Sequence, residues 1–244
     1  MVIDKGNYKL YNGDCLEVMD KLIEEGIIFD AIITDPPYGT TDCKWDNIID
    51  IDKMFDRIDK LIKPNGVILL FSQQPFTSDL INAYRKNFRY EIILEKTKPV
   101  GFFNAKKMPL RSHENITVFY KKLPTYNPEL VDCNKKIKRT DSSKVYGTGK
   151  GRKNEYVMTK TGYPRSVIKF SNVFSPQLHP TQKNTEMLEY LVKMYTNEGD
   201  LVLDFTCGSG STGVACLNTN RRFVGIELDE KYFNISCERL EKLS

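Results

Sequence analysis

Two short motifs carry residue types suited to group-transfer chemistry, and the first is the tetrapeptide Asp35-Pro36-Pro37-Tyr38. It follows an apolar run at residues 27–34. Because proline has no backbone N–H, this segment offers carbonyl and carboxylate oxygens that accept hydrogen bonds. The pattern therefore predicts a ligand with a planar amino group, whose ring would lie against the aromatic face of Tyr38. A proline-rich turn that only ends a strand is the structural alternative.

The second motif is a glycine-containing loop at residues 204–213. Gly208 and Gly210 would let a ligand approach the main chain, and a helix from about Ser211 would present free N–H groups to an anion such as a carboxylate. At the end of the next predicted strand, Glu227 is placed to accept hydrogen bonds from the two hydroxyls of a ribose. The alternative is a helix N-terminus whose glycines serve packing only.

Gly208, Gly210 and Gly213 also match the G-x-G-x-x-G pattern of dinucleotide-binding proteins. A dinucleotide needs a second mononucleotide-binding half after the first, whereas the residues after Gly213 suffice for one strand and two helices. The pattern therefore disfavours NAD as the ligand.

The elements around these motifs alternate between strand and helix. Apolar runs predict strands at residues 27–34, 67–71, 90–94, 116–120, 201–205 and 222–228. Helical periodicity predicts helices at residues 15–25, near 54–62, near 78–86, at 185–195, from about 211 and up to 243. In the first helix, Asp14 and Glu17 have the spacing of a capping box. The alternation predicts an α/β fold with a doubly wound, mainly parallel sheet, whose ligands gather at the carboxyl ends of the strands.

The composition narrows the class of protein. The chain has 244 residues, of which 40% are hydrophobic and 28% are charged, a balance typical of a globular protein. No apolar run approaches the ~18 residues needed to cross a bilayer, and the N-terminal residues lack the apolar core of a signal peptide, so we expect a cytoplasmic protein. Six cysteines without CxxC pairs, with two histidines, disfavour a zinc site or a disulfide framework, and no metal is expected.

A basic segment divides the chain. Between residues 134 and 169, eleven basic residues stand against two acids, and three tyrosines are interspersed. Such a run is either a solvated, partly disordered surface or a surface that follows phosphates and offers aromatics to bases. We expect a basic target-recognition insertion at residues 123–175. It would separate a catalytic half of the sheet at residues 1–122 from a cofactor-binding half at residues 176–244.

Together these motifs resemble those of S-adenosylmethionine-dependent DNA amino-methyltransferases, which modify adenine N6 or cytosine N4. The tetrapeptide and the glycine loop look like their catalytic and cofactor motifs, and the order, with a basic stretch between, resembles the beta group. The likeness extends to four further segments: His179-Pro180-Thr181-Gln182-Lys183, Arg111-Ser112-His113-Glu114, Gly39-Thr40-Thr41 and Trp45-Asp46. It implies a Rossmann-like methyltransferase sheet in circularly permuted order, with S-adenosylmethionine as the cofactor.

The resemblance implies three sets of site residues. The catalytic set is Asp35, Pro36, Pro37 and Tyr38. The cofactor-binding set is Asp14, Cys15, Asp35, His179, Thr181, Gln182, Lys183, Asp204, Phe205, Thr206, Cys207, Gly208, Ser209, Gly210, Ser211, Thr212, Glu227 and Leu228. The DNA-binding set is Thr40, Lys44, Trp45, Lys135, Lys136, Lys138, Arg139, Lys150, Arg152, Lys153 and Arg165. Asp14 would lie near the adenine amino group of the cofactor or serve only as a helix cap, and Trp45 would belong to a closing loop or to the core.

The reaction implied is methyl transfer to the exocyclic amino group of a DNA base that is flipped out of the duplex and stacked on Tyr38. Asp35 and the carbonyl of Pro36 would accept the two N–H bonds of that group. In this family Asp at the first position usually accompanies adenine and Ser cytosine, so adenine N6 is expected and cytosine N4 is the alternative. A methyltransferase acting on RNA or protein amides and a non-catalytic nucleic-acid-binding domain are the other classes to separate. Double-stranded DNA, a second copy of the chain and a cognate restriction endonuclease are the partners considered, in a bacterial or phage setting.

Three residues depart from the family pattern. Phe205 stands where a proline is common, and Thr206 stands where a phenylalanine is common. Which side chain packs the methionine part of the cofactor is therefore open. Asn184 replaces a proline that usually ends the segment at residues 179–183, and we expect it to loosen that loop. The whole interpretation requires that Asp35 and the glycine loop share one cleft.

Overall fold

A computed structural model describes residues 1–39, 48–138, 155–171 and 182–243. Two compact units divide the chain. The first comprises Met1–Asn127 and Ser166–Ser244, and the second comprises Pro128–Arg165. In the described part of the chain, no helix is both long and apolar enough to span a membrane.

The elements of the first unit alternate as the sequence pattern predicts. Its strands are β1 (Val2–Asp4), β2 (Tyr8–Asn12), β3 (Phe29–Thr34), β4 (Ile62–Ser72), β5 (Phe88–Val100), β6 (Arg111–Phe119), β9 (Val167–Phe170), β10 (Leu201–Asp204) and β11 (Arg222–Glu227). Its helices are α1 (Cys15–Glu24), α2 (Ile51–Leu61), α3 (Phe76–Ala83), α4 (Thr185–Tyr195), α5 (Ser211–Asn218) and α6 (Glu230–Glu241). A short 3-10 helix, Phe102–Asn104, lies between β5 and β6.

These nine described strands form one sheet in the order β1-β2-β11-β10-β3-β4-β6-β5-β9. The central run from β2 to β4 is parallel throughout, whereas β6 is antiparallel to both of its neighbours. The chain order reverses between β10 and β3, where Val202 pairs with Ala31 and Leu203 with Ile32. In open α/β sheets such a reversal opens a crevice for ligands at the carboxyl ends of the strands. The predicted α/β fold with a mainly parallel sheet is confirmed.

Apolar residues on both faces of the sheet explain the layers. Ala31 and Ile33 of β3 belong to one core cluster, together with buried side chains of α4, α5 and α6. Ile32, which stands between them in the sequence, points to the other face and packs with side chains of α1, α2 and α3. Because successive side chains of a strand alternate between faces, one strand supplies both cores. Each face of the sheet is therefore covered by three helices of the described chain.

Several helices begin with a side chain that caps their first turn. Asp14 accepts hydrogen bonds from the backbone N–H groups of Leu16 and Glu17, as the capping-box spacing predicts. Asp229 caps α6 in the same way. Asn184 caps α4 by accepting from Met187, and its amide nitrogen donates to the carbonyl of Ser171 at 2.9 Å. The prediction that Asn184 loosens the preceding loop stays a prediction, because residues 172–181 lie outside the described residues.

The second unit contains a hairpin of two strands, β7 (Val131–Lys138) and β8 (Glu155–Thr161), which pair antiparallel. The sequence pattern did not indicate these strands, because lysines interrupt the alternation of apolar side chains that marks a half-buried strand. Backbone hydrogen bonds form the ladder whatever the side chains are. By contrast β9, a strand that was not predicted and whose residues fall within the expected insertion, pairs with β5 of the large sheet.

Candidate active site

The carboxyl ends of the parallel strands meet at one edge of the sheet, where they enclose a cavity of about 470 Å³. Residues that follow β2, β3, β10 and β11 line it, and both Asp35 and Gly208 are among them. Pockets of this volume are typical of sites for small ligands and cofactors. The acceptor-rich tetrapeptide and the glycine loop therefore share a single cleft.

Threonine hydroxyls connect the two motifs. The Oγ1 of Thr206 donates to the backbone oxygen of Asp35 at 3.1 Å and lies 2.7 Å from the Oγ1 of Thr34. The Oγ1 of Thr34 also donates to the Oδ1 of Asp204 at 2.7 Å. Thr206 is one of the three residues that depart from the family pattern, and its hydroxyl gives that departure a structural role beside Asp35. The preceding Phe205 is fully buried and also lines the cavity.

Asp204, at the end of β10, is a buried carboxylate held by three donors. Besides Thr34, the Oγ1 of Thr212 donates to its Oδ2 at 2.6 Å and the backbone N–H of Thr206 to its Oδ1 at 3.2 Å. Burial nevertheless raises the pKa of Asp204 to about 6, because these hydrogen bonds only partly offset the loss of water. The carboxylate can accept a further hydrogen bond from a ligand.

Glu227, at the end of β11, is bonded to the glycine loop. The backbone N–H of Gly208 donates to its Oε2 at 2.7 Å, and that of Asp229 donates to its Oε1 at 2.8 Å. Burial raises the pKa of Glu227 above its ordinary value in spite of these two bonds. The acid that the sequence predicts at the ribose position therefore also fixes the loop beside it.

The glycines of the loop have different roles. Gly208 lines the cavity and has a positive φ of 54°. Gly210 does not line it: a Cβ built there would lie 2.8 Å from the Cβ of Ser236 on α6, and its φ is 77°. The absence of a side chain at Gly210 is therefore needed for packing against α6, and its contact with the cofactor stays a prediction.

An arginine that the motifs do not indicate supports the loop from behind. The Nη1 of Arg239, on α6, donates to the carbonyl of Ser209 at 2.6 Å and to the Oγ of Ser211 at 3.1 Å. Burial lowers the pKa of Arg239. No local pattern in the sequence could have identified it, because the loop and α6 meet only in the folded chain.

Asp35, at the end of β3, lies in a row of buried charges. Its Oδ2 is 2.8 Å from the Nζ of Lys183, and that nitrogen lies 3.0 Å from the Oε2 of Glu114. The Oε1 of Glu114 is in turn 2.6 Å from the Nζ of Lys96. The hydroxyl of Tyr38 donates to the Oδ1 of Asp35. Two carboxylates and two ammonium groups thus alternate from the cavity into the sheet.

The pKa values in this row follow from burial and from the neighbouring charges. Burial and the charge of Glu114 raise the pKa of Asp35, against the opposing effect of Lys183. Burial would also raise the pKa of Glu114, but Lys183 and Lys96 together lower it to about 2. Burial would lower the pKa of Lys183, yet its two carboxylate partners raise it above the ordinary value. Lys183 and Glu114 are therefore charged at neutral pH.

Most of the predicted catalytic and cofactor residues line the cavity. These are Asp14, Cys15, Asp35, Pro36, Pro37, Tyr38, Gln182, Lys183, Asp204, Phe205, Thr206, Cys207, Gly208, Ser209, Ser211, Thr212, Glu227 and Leu228. His179 and Thr181 lie outside the described residues. The cavity has further lining residues that the sequence motifs did not indicate, which are Gly13, Leu16, Ile48, Ile49, Asp50, Phe71, Leu188 and Tyr232. Asp14 both caps α1 and lines the cavity, so its two proposed roles are compatible.

The predicted DNA-binding residues are placed only in part. Lys135, Lys136 and Lys138 belong to β7, and Arg165 is exposed at the end of the second unit. The others lie outside the described residues: Thr40, Lys44, Trp45, Arg139, Lys150, Arg152 and Lys153. Their role in binding DNA stays a prediction.

The charge of the cavity restricts its ligand. Five carboxylates line it, from Asp14, Asp35, Asp50, Asp204 and Glu227, and Lys183 is the cation among its described lining residues. An excess of negative charge favours a cationic ligand and opposes a pyrophosphate. The charge of the lining therefore favours a ligand with a net positive charge over one that carries a pyrophosphate.

Comparison with known proteins identifies the family. A family model for N6 and N4 methyltransferases, described as DNA methylase, matches residues 29–238. The Type II methyltransferase M.HpaI of Haemophilus parainfluenzae is 27% identical over 240 residues, which cover 91% of this chain and 70% of that protein. The solved M1.HpyAVI–SAM complex has a TM-score of 0.67 and 26% identity, with 96% of this chain and all of that chain covered.

A second solved structure, the cytosine-N4-specific PvuII DNA methyltransferase, has the same TM-score of 0.67 at 17% identity, over 98% of this chain and 91% of that chain. At this identity the likeness concerns the fold alone. The family model, in contrast, spans most of the chain and includes both the tetrapeptide and the glycine loop. The chain therefore belongs to the N6/N4 family of DNA methylases and is a DNA methyltransferase.

Proposed function

We propose that the chain transfers a methyl group from S-adenosylmethionine to the N6 amino group of an adenine flipped out of double-stranded DNA. One observation carries the proposal. Asp35 and the glycine loop, which lie on adjacent strands, line one cavity and are joined by the hydrogen bond from Thr206. A donor group bound at the loop and an amino group bound at Asp35 would therefore lie close together.

The cavity fits S-adenosylmethionine, the cofactor that the sequence predicted and with which M1.HpyAVI has been solved. The molecule carries a positive net charge, which suits the five lining carboxylates. Glu227 would accept the ribose hydroxyls, while the loop and the start of α5 would offer N–H groups to its carboxylate. When bound, it supplies an electrophilic methyl group on a positively charged sulfur.

Asp35 is positioned to orient the amino group. Tyr38 holds one of its carboxylate oxygens and Lys183 the other, and each oxygen keeps a further lone pair to accept an N–H bond. With the carbonyl of Pro36 accepting the second N–H, the nitrogen lone pair would point away from both acceptors and toward the methyl group. Positive charge that develops on this nitrogen would be stabilised by the carboxylate.

A proton must leave the amino nitrogen when the new N–C bond has formed. Burial and the charge of Glu114 raise the pKa of Asp35, which makes its carboxylate a better proton acceptor than an exposed one. Lys183 stays charged and bonds the carboxylate of Asp35 directly, while Glu114, itself paired with Lys96, holds Lys183 in place. We assign Lys183 and Glu114 as positioning residues, because they act through Asp35.

The target base would stack on Tyr38. The ring of Tyr38 lies 5.5 Å from that of Phe76 at an angle of 35°, so a buried aromatic residue supports it from α3. Flipping a base costs a few kcal/mol, which such stacking partly offsets. Adenine is favoured over cytosine because Asp, rather than Ser, begins the tetrapeptide. A cognate endonuclease stays a prediction, which the Type II relatives support.

The test is methylation of DNA with tritiated S-adenosylmethionine, followed by nucleoside analysis of the product. We expect N6-methyladenine. Detection of N4-methylcytosine would show that the target base is cytosine and not adenine. Label in RNA or protein instead of DNA would contradict the proposal. An absence of cofactor uptake would favour a binding-only domain. Asp35→Ala should abolish transfer while calorimetry shows retained cofactor binding, and Tyr38→Phe, which keeps the ring, should reduce transfer less.

A further inference from the structure

The loop between β5 and β6 exposes two adjacent phenylalanines at the edge of the sheet that carries the candidate active site. Phe102 is 67% exposed and Phe103 is completely exposed. Soluble proteins rarely leave adjacent large aromatic side chains in water unless they contact a partner. Every residue from 102 to 109 is exposed, so the tip of this loop faces solvent.

The loop is a preformed turn. Gly101 begins it with a positive φ of 91°, and the backbone N–H of Asn104 donates to the carbonyl of Gly101 at 2.9 Å. The carbonyl of Asn104 accepts from the N–H groups of Lys107 and Met108 at 2.8 and 3.0 Å. These local bonds define the backbone without help from the phenylalanine side chains, which are therefore available for contact.

Strand directions place the loop beside the catalytic carboxylate. Because β5 runs in the same direction as β4, it ends at the edge where Asp35 lies. The loop returns to the sheet at Arg111, whose side chain donates to Gln73 just beyond the end of β4. Glu114, three residues further along β6, is joined to Asp35 through Lys183. Three residues of strand span about 10 Å, so the base of the loop is close to the site.

The charge around the loop matches a nucleic acid. From residue 96 to residue 113 the sequence contains five basic residues and no acid. Lys106 and Lys107 are exposed on the loop itself. Exposed aromatics beside lysines are the combination that binds bases and phosphates together.

We propose that this loop contacts the DNA next to the methylated base, with Phe103 stacking on or between bases and Lys106 and Lys107 neutralising phosphates. This inference rests on the proposed function, and it adds a DNA contact outside the basic insertion. An aromatic wedge beside the site would also help to fill the space that a flipped base leaves in the duplex.

The test uses a fluorescein-labelled duplex, taken from a plasmid segment that the wild-type chain methylates. Phe103→Ala should weaken binding about tenfold, within the roughly 5- to 150-fold expected when one base–aromatic stack is removed, while the salt dependence stays unchanged. Lys106→Ala and Lys107→Ala should each reduce the slope of log K against log salt by about 0.9 for every phosphate that is no longer neutralised. Phe103→Trp should restore affinity, because it keeps the aromatic face.

Ile28 and Lys122 provide matched controls. Ile28 directly precedes β3 and Lys122 follows β6, so both lie at the opposite edge of the sheet, and Ile28 is 43% exposed. Ile28→Ala and Lys122→Ala should leave the affinity and the slope unchanged. If Phe103→Ala binds DNA within twofold of the wild-type affinity, the inference is overturned. If the variant changes only the sedimentation of the protein, and not its DNA affinity, the loop is a contact between copies of the chain and the inference is likewise overturned. If the wild-type chain methylates no DNA, the proposed function fails first.

Discussion

Replacing Lys183 by methionine tests whether its ammonium group holds two buried carboxylates together. The side chains of Lys183, Asp35 and Glu114 are only 14%, 20% and 14% exposed. Removing one partner of a buried ion pair costs about 3–5 kcal/mol, because the remaining charge is left uncompensated. Methionine keeps contact with the ring of Phe71, which lies 4.8 Å from the lysine nitrogen. We therefore expect the free energy of unfolding to fall by about 3–5 kcal/mol at pH 8.

The stability that Lys183→Met loses relative to wild type should become smaller as the pH falls. The pKa of Asp35 is already raised in the folded protein by burial and by Glu114, and without Lys183 it should rise further. A carboxyl group with a raised pKa binds its proton in the folded state at a pH where the unfolded state has released it. The variant should therefore recover stability relative to wild type by about 1.4 kcal/mol per pH unit in that window.

Lys169→Met is the matched control. Lys169 lies 2.7 Å from Glu95, a distance close to that of the Lys183 pair, but these side chains are 61% and 45% exposed. An exposed pair contributes about 0–1 kcal/mol, so this variant should lose little at any pH. Urea unfolding followed by circular dichroism, repeated from pH 8 to pH 5, measures the free energy of unfolding of both variants. Equal losses in the two variants, or a loss at Lys183 that grows in acid, would refute the reasoning.

Three further substitutions test the glycine loop and its links. Thr206→Val removes the hydroxyl that donates to the backbone of Asp35, and we expect kcat to fall about tenfold while the melting temperature changes little. Gly210→Ala should destabilise the chain more than Gly199→Ala in thermal unfolding; both glycines have φ near +80°, but only the first lacks room for a Cβ. Glu227→Gln should weaken cofactor binding in calorimetry about tenfold, because it removes the charge of the acceptor.

The sequence predicted the cleft because both motifs follow apolar strands of a parallel sheet. Parallel strands end at a common edge, so the motifs alone place Asp35 and Gly208 at that edge, whatever the order of the strands. The capping role of Asp14 was likewise predictable, since it depends on residues two and three positions away. Local spacing is sufficient for features of this kind.

The partners of Asp35 could not be predicted in this way. Because β6 is antiparallel to β4, β6 begins at the edge where β3 and β4 end, and Glu114 near its start lies within reach of Lys183 and Asp35. Neither periodicity nor spacing specifies that arrangement. The resemblance implies that Lys183 binds the cofactor, which stays a prediction, but it does not indicate the two carboxylates to which Lys183 is bonded. The role of Arg239 could not be predicted for a similar reason, because its hydrogen bonds to the glycine loop join residues 28 and 30 positions apart in the sequence.

The two ends of the described chain build the site together. β2, near the beginning, pairs with β11, near the end, and the side chain of Asn12 donates to the carbonyl of Glu227 at 2.9 Å. The bond between Thr34 and Asp204 joins residues 170 positions apart. Because β3 lies on the other side of β10, the glycine loop is enclosed by N-terminal strands on both sides of the β10–β11 pair. Cofactor and base would thus meet only after the whole parallel sheet has formed, which makes the candidate site a direct product of the chain order.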